Sequence, residues 1–134
     1  MQHTVICNPV AKGRPQFNRK TGAAFTPAKT RNYEAWVAMV VKQWFRAPLD
    51  GPLSITIDFY LPRPQKISGP RYPNPGPVIH TKTPDLDNLI KAVLDGMNKV
   101  VFKDDSQLAQ IIGRKWYQAI GAKPCFVFEI QKVF

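Results

Sequence analysis

A chain of 134 residues, 44% hydrophobic and 11% aromatic, carries the apolar mass of one packed core and too little length for two, which excludes a disordered chain. Its formal net charge of +10, from 19 Lys and Arg against 9 Asp and Glu, points to a polyanionic partner, nucleic acid first, and says little about fold. No apolar run approaches a membrane span, Met1–Val10 is too short and polar for a signal peptide, and Cys7 and Cys125 show no CxxC spacing, so a cytoplasmic protein without a zinc site is expected, its two cysteines buried thiols by default with a bridge between them as the alternative.

Taken in chain order, Thr4 to Asn8 reads as a first strand stopped by Pro9. The stretch Lys12 to Lys20 then mixes Gly and Pro with cations and Phe17, the composition of either a phosphate-contacting loop or a solvated hairpin. Thr26-Pro27 has the form of an N-cap followed by a proline in the first helical position. Tyr33, Trp36, Val37, Val40, Val41 and Trp44 recur at three- and four-residue spacing, so a first helix with one core-facing stripe is expected up to Pro48.

Leu53, Ile55, Ile57, Phe59 and Leu61 alternate with Ser54, Thr56, Asp58 and Tyr60, the pattern of a strand with one buried face. Residues 62–84 are rich in proline and glycine and are expected to form a long mobile loop carrying Arg71, Tyr72, His80 and Lys82; His80 is expected to be a DNA contact or a plain loop residue. Leu86, Leu89, Ile90, Val93, Leu94, Met97, Val100 and Val101 give a second helix, weakened by Gly96. Leu108 to Tyr117 and Phe126 to Val133 read as two strands joined most simply as a hairpin through Gly121 and Pro124. The order β-α-β-α-β-β predicts one α+β domain over 1–134, a mixed sheet of about four strands packed against two main helices.

Charge is distributed unevenly. Between Lys12 and Arg46 eight basic residues (Lys12, Arg14, Arg19, Lys20, Lys29, Arg31, Lys42, Arg46) face one acid, Glu34. Of these, Lys12, Arg14, Arg19, Lys20, Lys29 and Arg31, with Arg71 and Lys82 from the later loop, are the expected DNA contacts. Yet Asp85, Asp87, Asp95, Asp104 and Asp105, five of the nine acids, fall within one 21-residue window. Carboxylates repel phosphate, so a nucleic-acid protein gains from clustering them only with a divalent cation between.

Asp85 and Asp87 flank Leu86 at the start of the second helix, where one carboxylate suffices for capping. With Asp85 just before the helix and Asp87 in its first turn, both can reach a common point. Lys91 and Asp95 follow Asp87 at four-residue intervals on one face. Lys91 is either half of a surface ion pair or a cation that orients water and stabilises charge developing on phosphorus. Asp104 and Asp105 come after the helix, which is about 20 Å long at 1.5 Å per residue, so they reach the same metal by folding back or across a dimer interface. Magnesium suits such a site, being a hard ion that takes one to three carboxylates and keeps waters for hydrolysis; manganese is a plausible substitute.

The stretch Pro84-Asp85-Leu86-Asp87-Asn88-Leu89-Ile90-Lys91-Ala92-Val93-Leu94-Asp95, with Asp105 downstream, resembles the signature of RusA-type Holliday junction resolvases. Lys12 to Tyr33, with Gly-Arg-Pro-Gln-Phe and Thr-Pro-Ala-Lys-Thr-Arg-Asn-Tyr, is similar to that family's phage and prophage branch. The resemblance implies a RusA-like fold and a homodimer that binds four-way junctions and nicks two strands symmetrically in DNA recombination and repair. It also implies magnesium on aspartates matching Asp85, Asp87 and Asp105 (Asp104 as the alternate), and an essential lysine matching Lys91. Two rivals remain: a non-catalytic basic DNA-binding protein whose aspartates merely cap and pair, and a metal-dependent nuclease for flaps or other branched DNA.

Overall fold

The computed structural model describes residues 1–133, in the order β1 (Gln2–Ile6), β2 (Gln16–Phe17), β3 (Ala24–Phe25), α1 (Ala28–Val41), β4 (Leu53–Leu61), β5 (Val78–Ile79), α2 (Leu86–Met97), β6 (Leu108–Tyr117) and β7 (Cys125–Lys132). Two helices, a mixed five-stranded sheet and a two-stranded ribbon make an α+β fold, as the alternation of patterns predicts. The chain forms two compact units interleaved in sequence: one of Met1–Pro9, Pro52–Leu86 and Leu108–Phe134, the other of Val10–Gly51 and Asp87–Gln107.

The first unit holds the sheet, in the order β1-β7-β4-β6-β5. Strand β4 is central because its nine residues alternate without a break, burying Leu53, Ile55, Ile57, Phe59 and Leu61 on one face while both edges stay free to bond. It pairs antiparallel with β7 and parallel with β6. A parallel pair needs a crossover, here the stretch containing the proline-rich loop and α2. The expected hairpin between the last two strands is therefore not formed: β4 separates β6 from β7. The link passes the end of β4, where the Gln118 N–H donates to the Leu61 carbonyl at 2.8 Å. On the buried face Phe126 contacts both Phe59 and Phe128, with ring centroids 6.0 and 6.2 Å apart.

Arg63 bonds to several backbone carbonyls in and around the proline-rich loop. Its guanidinium donates to the carbonyls of Ile67 (2.7 Å), Gly76 (2.7 Å), Asn74 (2.6 Å) and Gln118 (3.3 Å), and lies 5.0 Å from the Tyr72 ring centroid. Five donors in a planar fork allow one side chain to satisfy several loop carbonyls, which short-range turn chemistry could not. Beyond it, β5 adds to the edge of β6, with Val78 opposite Tyr117 and Ile79 opposite Trp116. On the other sheet face, Arg114 makes a two-pronged pair with Asp58 at 2.6 and 3.1 Å, and the Trp116 indole N–H donates to the same carboxylate at 3.0 Å. Burial pushes the Asp58 carboxyl up, but the bonds from Arg114 and Trp116 outweigh it and hold it below the usual range. Neither Cys7 nor Cys125 is in a disulfide, and burial pushes the Cys125 thiol up.

The second unit holds α1, α2 and the β2–β3 ribbon. Helix α1 starts one residue later than its cap pattern suggests: Pro27 occupies the N-cap in an extended conformation and no side chain caps. Thr30 faces inward instead, and its hydroxyl accepts the Gly13 N–H at 3.0 Å. Helix α2 ends at Met97, short of the expected Val101, because Lys99 turns into the left-handed region (φ 69°) and its N–H donates to the Phe102 carbonyl at 2.7 Å. Val101 and Phe102 still bury fully, so the apolar stripe outlasts the helix. Tyr33, Val37, Val41, Leu89, Ala92, Val93, Leu94 and Met97 complete this core. Gly96 lies where α1 and α2 touch: a Cβ there would sit 2.9 Å from the Glu34 carbonyl oxygen and 2.9 Å from the Val37 Cβ. The glycine read as a weakness of the helix is thus a packing requirement.

Candidate metal and DNA site

Asp85 is reached through a segment fastened to β6. The His80 N–H donates to the Lys115 carbonyl at 3.1 Å, and the His80 ring lies against Tyr117 with centroids 3.9 Å apart. Its Nδ1 accepts the Lys82 N–H at 3.1 Å, which requires an unprotonated Nδ1. Burial, aided by the nearby Lys115 charge, pulls the His80 pKa down and favours that form. The Lys115 ammonium donates to the carbonyls of Lys82 and, at 2.6 Å, Pro84, the residue before Asp85. His80 is therefore a buried member of this platform.

Asp85 and Asp87 are both exposed, and among the described residues neither carboxylate has a hydrogen bond or an ion pair. Capping thus does not account for them. Lys91, one turn beyond Asp87, is exposed and likewise without a carboxylate partner among the described residues. Of the two aspartates four residues from Lys91, Asp95 is engaged elsewhere. Lys12, expected among the DNA contacts, reaches Asp95 at 2.9 Å and Glu34 at 2.7 Å with its side chain only 17% exposed, and its N–H donates to the Asn88 carbonyl at 2.9 Å. Burial alone would lower the Lys12 pKa, but these two carboxylates outweigh it and raise it. Lys12 is a clamp between α1 and α2, and its charge is already balanced.

Asp104 and Asp105 part company in the same way. The Ser106 hydroxyl and N–H hold the Asp104 carboxyl below its ordinary range, the N–H at 3.0 Å, while Gln107 braces the turn by accepting the Lys103 and Asp104 N–H groups and donating to the Leu49 and Gly51 carbonyls. Asp104 is turn chemistry. Asp105, exposed, has no hydrogen-bonding or ionic partner among the described residues. It follows the far end of α2 from Asp87, a helix about 18 Å long.

The exposed carboxylate oxygens of Asp85, Asp87 and Asp105 are hard donors suited to a hard divalent cation. Among the described residues, no group of three or more His, Cys, Asp or Glu side chains is gathered to hold one. The remaining expected DNA contacts stand open. Arg14, Arg19, Lys20, Lys29 and Arg31 in the second unit, and Arg71 and Lys82 in the first, are exposed, and among the described residues their side chains meet no carboxylate. Sequence reasoning missed Lys115 and Arg63, whose partners are backbone carbonyls; the one trace of Lys115 is a cation paired in register with the buried Phe59.

The family of sequences described as Endodeoxyribonuclease RusA matches residues 7–123. The chain belongs to the RusA endodeoxyribonuclease family. It is accordingly a DNA endonuclease, a hydrolase of phosphodiester bonds. It is also 32% identical over 124 residues to Uncharacterized protein YqaN of Bacillus subtilis (strain 168), covering 87% of each chain. The matched span contains Asp85, Asp87, Lys91, Asp105 and Lys115. Among the described residues, no helix is long and apolar enough to cross a membrane.

Proposed function

We propose that this RusA-family nuclease is a magnesium-dependent Holliday junction resolvase, a cytoplasmic homodimer that cuts two strands of a four-way junction by paired symmetric nicks during recombination or repair. The observation that carries the reading is a pair of exposed carboxylates, Asp85 and Asp87, with no protein partner among the described residues, in a chain of net charge +10. Leaving such groups unpaired where phosphate must approach is unfavourable unless a cation joins them.

Asp85 and Asp87 would hold the divalent ion, magnesium or manganese. Asp105 would supply a third carboxylate, in preference to Asp104, whose oxygens are held by Ser106. With no three acids gathered among the described residues, the reading assigns Asp105 to the same site from a second copy of the chain. A bound magnesium ion supplies an acidified water and neutralises phosphate charge. Lys91, one turn from Asp87 and uncommitted, stabilises the charge that develops on the phosphate oxygens. Arg14, Arg19, Lys20, Lys29, Arg31, Arg71 and Lys82 hold the DNA backbone.

The test offers purified protein a labelled four-way junction, a linear duplex and a flap, each with magnesium. Paired nicks confined to the junction are expected. Equal cutting of the flap would replace this reading with a general branched-DNA nuclease, and cutting of none with a binding protein.

Lys115 acts as a positioning residue in this scheme, since its ammonium fixes the two carbonyls just ahead of Asp85. Lys115→Met should slow nicking about 10- to 100-fold, the loss found when groups that orient a metal ligand are removed. The magnesium concentration for half-maximal rate should rise, and Lys115→Arg should restore part of the loss. An unchanged magnesium requirement would remove this role.

A further inference from the structure

We propose that the β2–β3 ribbon is a wedge that enters the branch point of DNA and stacks Phe17 and Phe25, one on each of its faces, against bases left unstacked there. The inference rests on the reading of the chain as a nuclease for branched DNA and adds how the branch is recognised.

Three observations carry it. First, the rings are presented rather than stored. Phe17 is 69% exposed and Phe25 44%, and neither has a ring partner among the described residues. The register sets Gln16 opposite Phe25 and Phe17 opposite Ala24. Paired residues share a face and adjacent ones alternate, so the two rings point to opposite sides of a ribbon two residues deep.

Second, the ribbon is held at both ends despite having no third strand. At its tip the Asn18 side chain accepts the N–H groups of Lys20 (2.8 Å) and Thr21 (3.2 Å), the Asn18 N–H donates to the Ala23 carbonyl at 2.8 Å, and Gly22 closes the turn at φ +71°. At its root Gly13 lies so close to α1 that a Cβ would fall 2.9 Å from the Thr30 hydroxyl and 3.1 Å from the Pro27 ring. The Lys12 clamp to Glu34 and Asp95 ties the same root to α1 and α2. Two such hairpin strands alone would be marginal in water; fastening both ends makes them a firm projection.

Third, the chemistry around the rings selects the occupant. No acid precedes Glu34 in the chain, and Arg14, Arg19 and Lys20 flank the rings without a carboxylate partner among the described residues. A second copy of the ribbon would bring like charges together. Nucleic acid supplies both what the cations need, phosphate, and what exposed phenyl rings need, a π-face. A two-stranded ribbon also fits a major groove, but duplex bases offer only their edges there, whereas a branch point offers unstacked faces.

The experiment uses the full chain with calcium in place of magnesium, so that DNA is bound without being cut. Binding is measured on a four-way junction with 2-aminopurine at the branch and on a linear duplex of equal length, for wild type, Phe17→Ala, Phe25→Ala, the double variant, and Phe17→Trp with Phe25→Trp. Wild type should change the 2-aminopurine emission of the junction, and each alanine should lose most of that change and weaken junction binding about fivefold or more while leaving duplex binding within twofold. Tryptophan should restore the preference. The thermal midpoint, unchanged for rings this exposed, separates the effect from unfolding. Junction preference that survives in the double variant overturns the wedge but leaves the nuclease reading intact. Wild type without junction preference overturns both. A loss of dimer in the alanine variants with DNA preference unchanged assigns the rings to a second copy and also overturns the wedge.

Discussion

Asp87→Asn is expected to remove nicking while leaving DNA binding intact. The substitution keeps shape and loses charge, so a hard divalent cation loses an anionic ligand and gains a poor one. The fall in single-turnover rate should be at least about a hundredfold, since loss of groups that merely orient a ligand already reaches that range. Binding should hold or tighten slightly, because the substitution raises the formal net charge from +10 to +11 and removes a carboxylate from the path of phosphate. Folding should barely change: Asp87 is exposed and without a partner among the described residues, and its favourable position in the first turn of α2 is worth only about 0.3–1 kcal/mol. Cleavage in magnesium and gel-shift affinity in calcium check the two halves separately. A variant that cuts at the wild-type rate removes Asp87 from the metal site, and one that neither binds nor cuts points instead to a structural role.

Much of the fold is legible because two elements bury one face at a strict period. The alternation over Leu53–Leu61 marks the central strand, and the stripe from Leu86 to Met97 marks α2. What escapes has no period. Strands β2, β3 and β5 are two residues long, and β6, which has no fully buried residue, shows no clean alternation to reveal that it pairs in parallel with β4 and not with β7. The end of α2 is misplaced by four residues because the apolar pattern runs on to Val101 while the backbone turns at Lys99. A hydrophobic period reports which residues are buried, not which conformation buries them.

The candidate site divides along the same line. Asp85, Asp87 and Lys91 stand out in sequence because charge at those places departs from the pattern around it. The ion pairs of Lys12 are not legible in the chain, because its neighbours in sequence are basic and its partners Glu34 and Asp95 are distant. Lys115 and Arg63 act on backbone carbonyls, which every residue possesses, so no motif records them. Asp104 and Asp105 are equivalent as letters, and only the Ser106 N–H and hydroxyl tell them apart.

Gly96→Ala sets propensity directly against packing. In an exposed helix interior, alanine for glycine is worth about 1 kcal/mol in the helix's favour. Here the added methyl would stand 2.9 Å from a backbone oxygen of α1 and 2.9 Å from the Val37 Cβ, and neither atom can swing aside as a flexible side-chain end would. The helices must separate, opening the contacts of Val37 and Met97, both fully buried. Overpacking of a close-packed core costs roughly 1–3 kcal/mol, and a methyl pressed against two atoms that cannot move aside puts Gly96 at the upper end, so a net loss near 2 kcal/mol remains after the propensity gain. For a chain of this size that is a fall of about 6–12 °C in the thermal midpoint. Because Lys12 bridges α1 to α2 through Glu34 and Asp95, the same separation should loosen the root of the β2–β3 ribbon, and protection of the Gly13 amide from hydrogen exchange should drop with it. A thermal midpoint that rises would mean that helix propensity outweighs packing at this position and that α1 and α2 have room for the methyl.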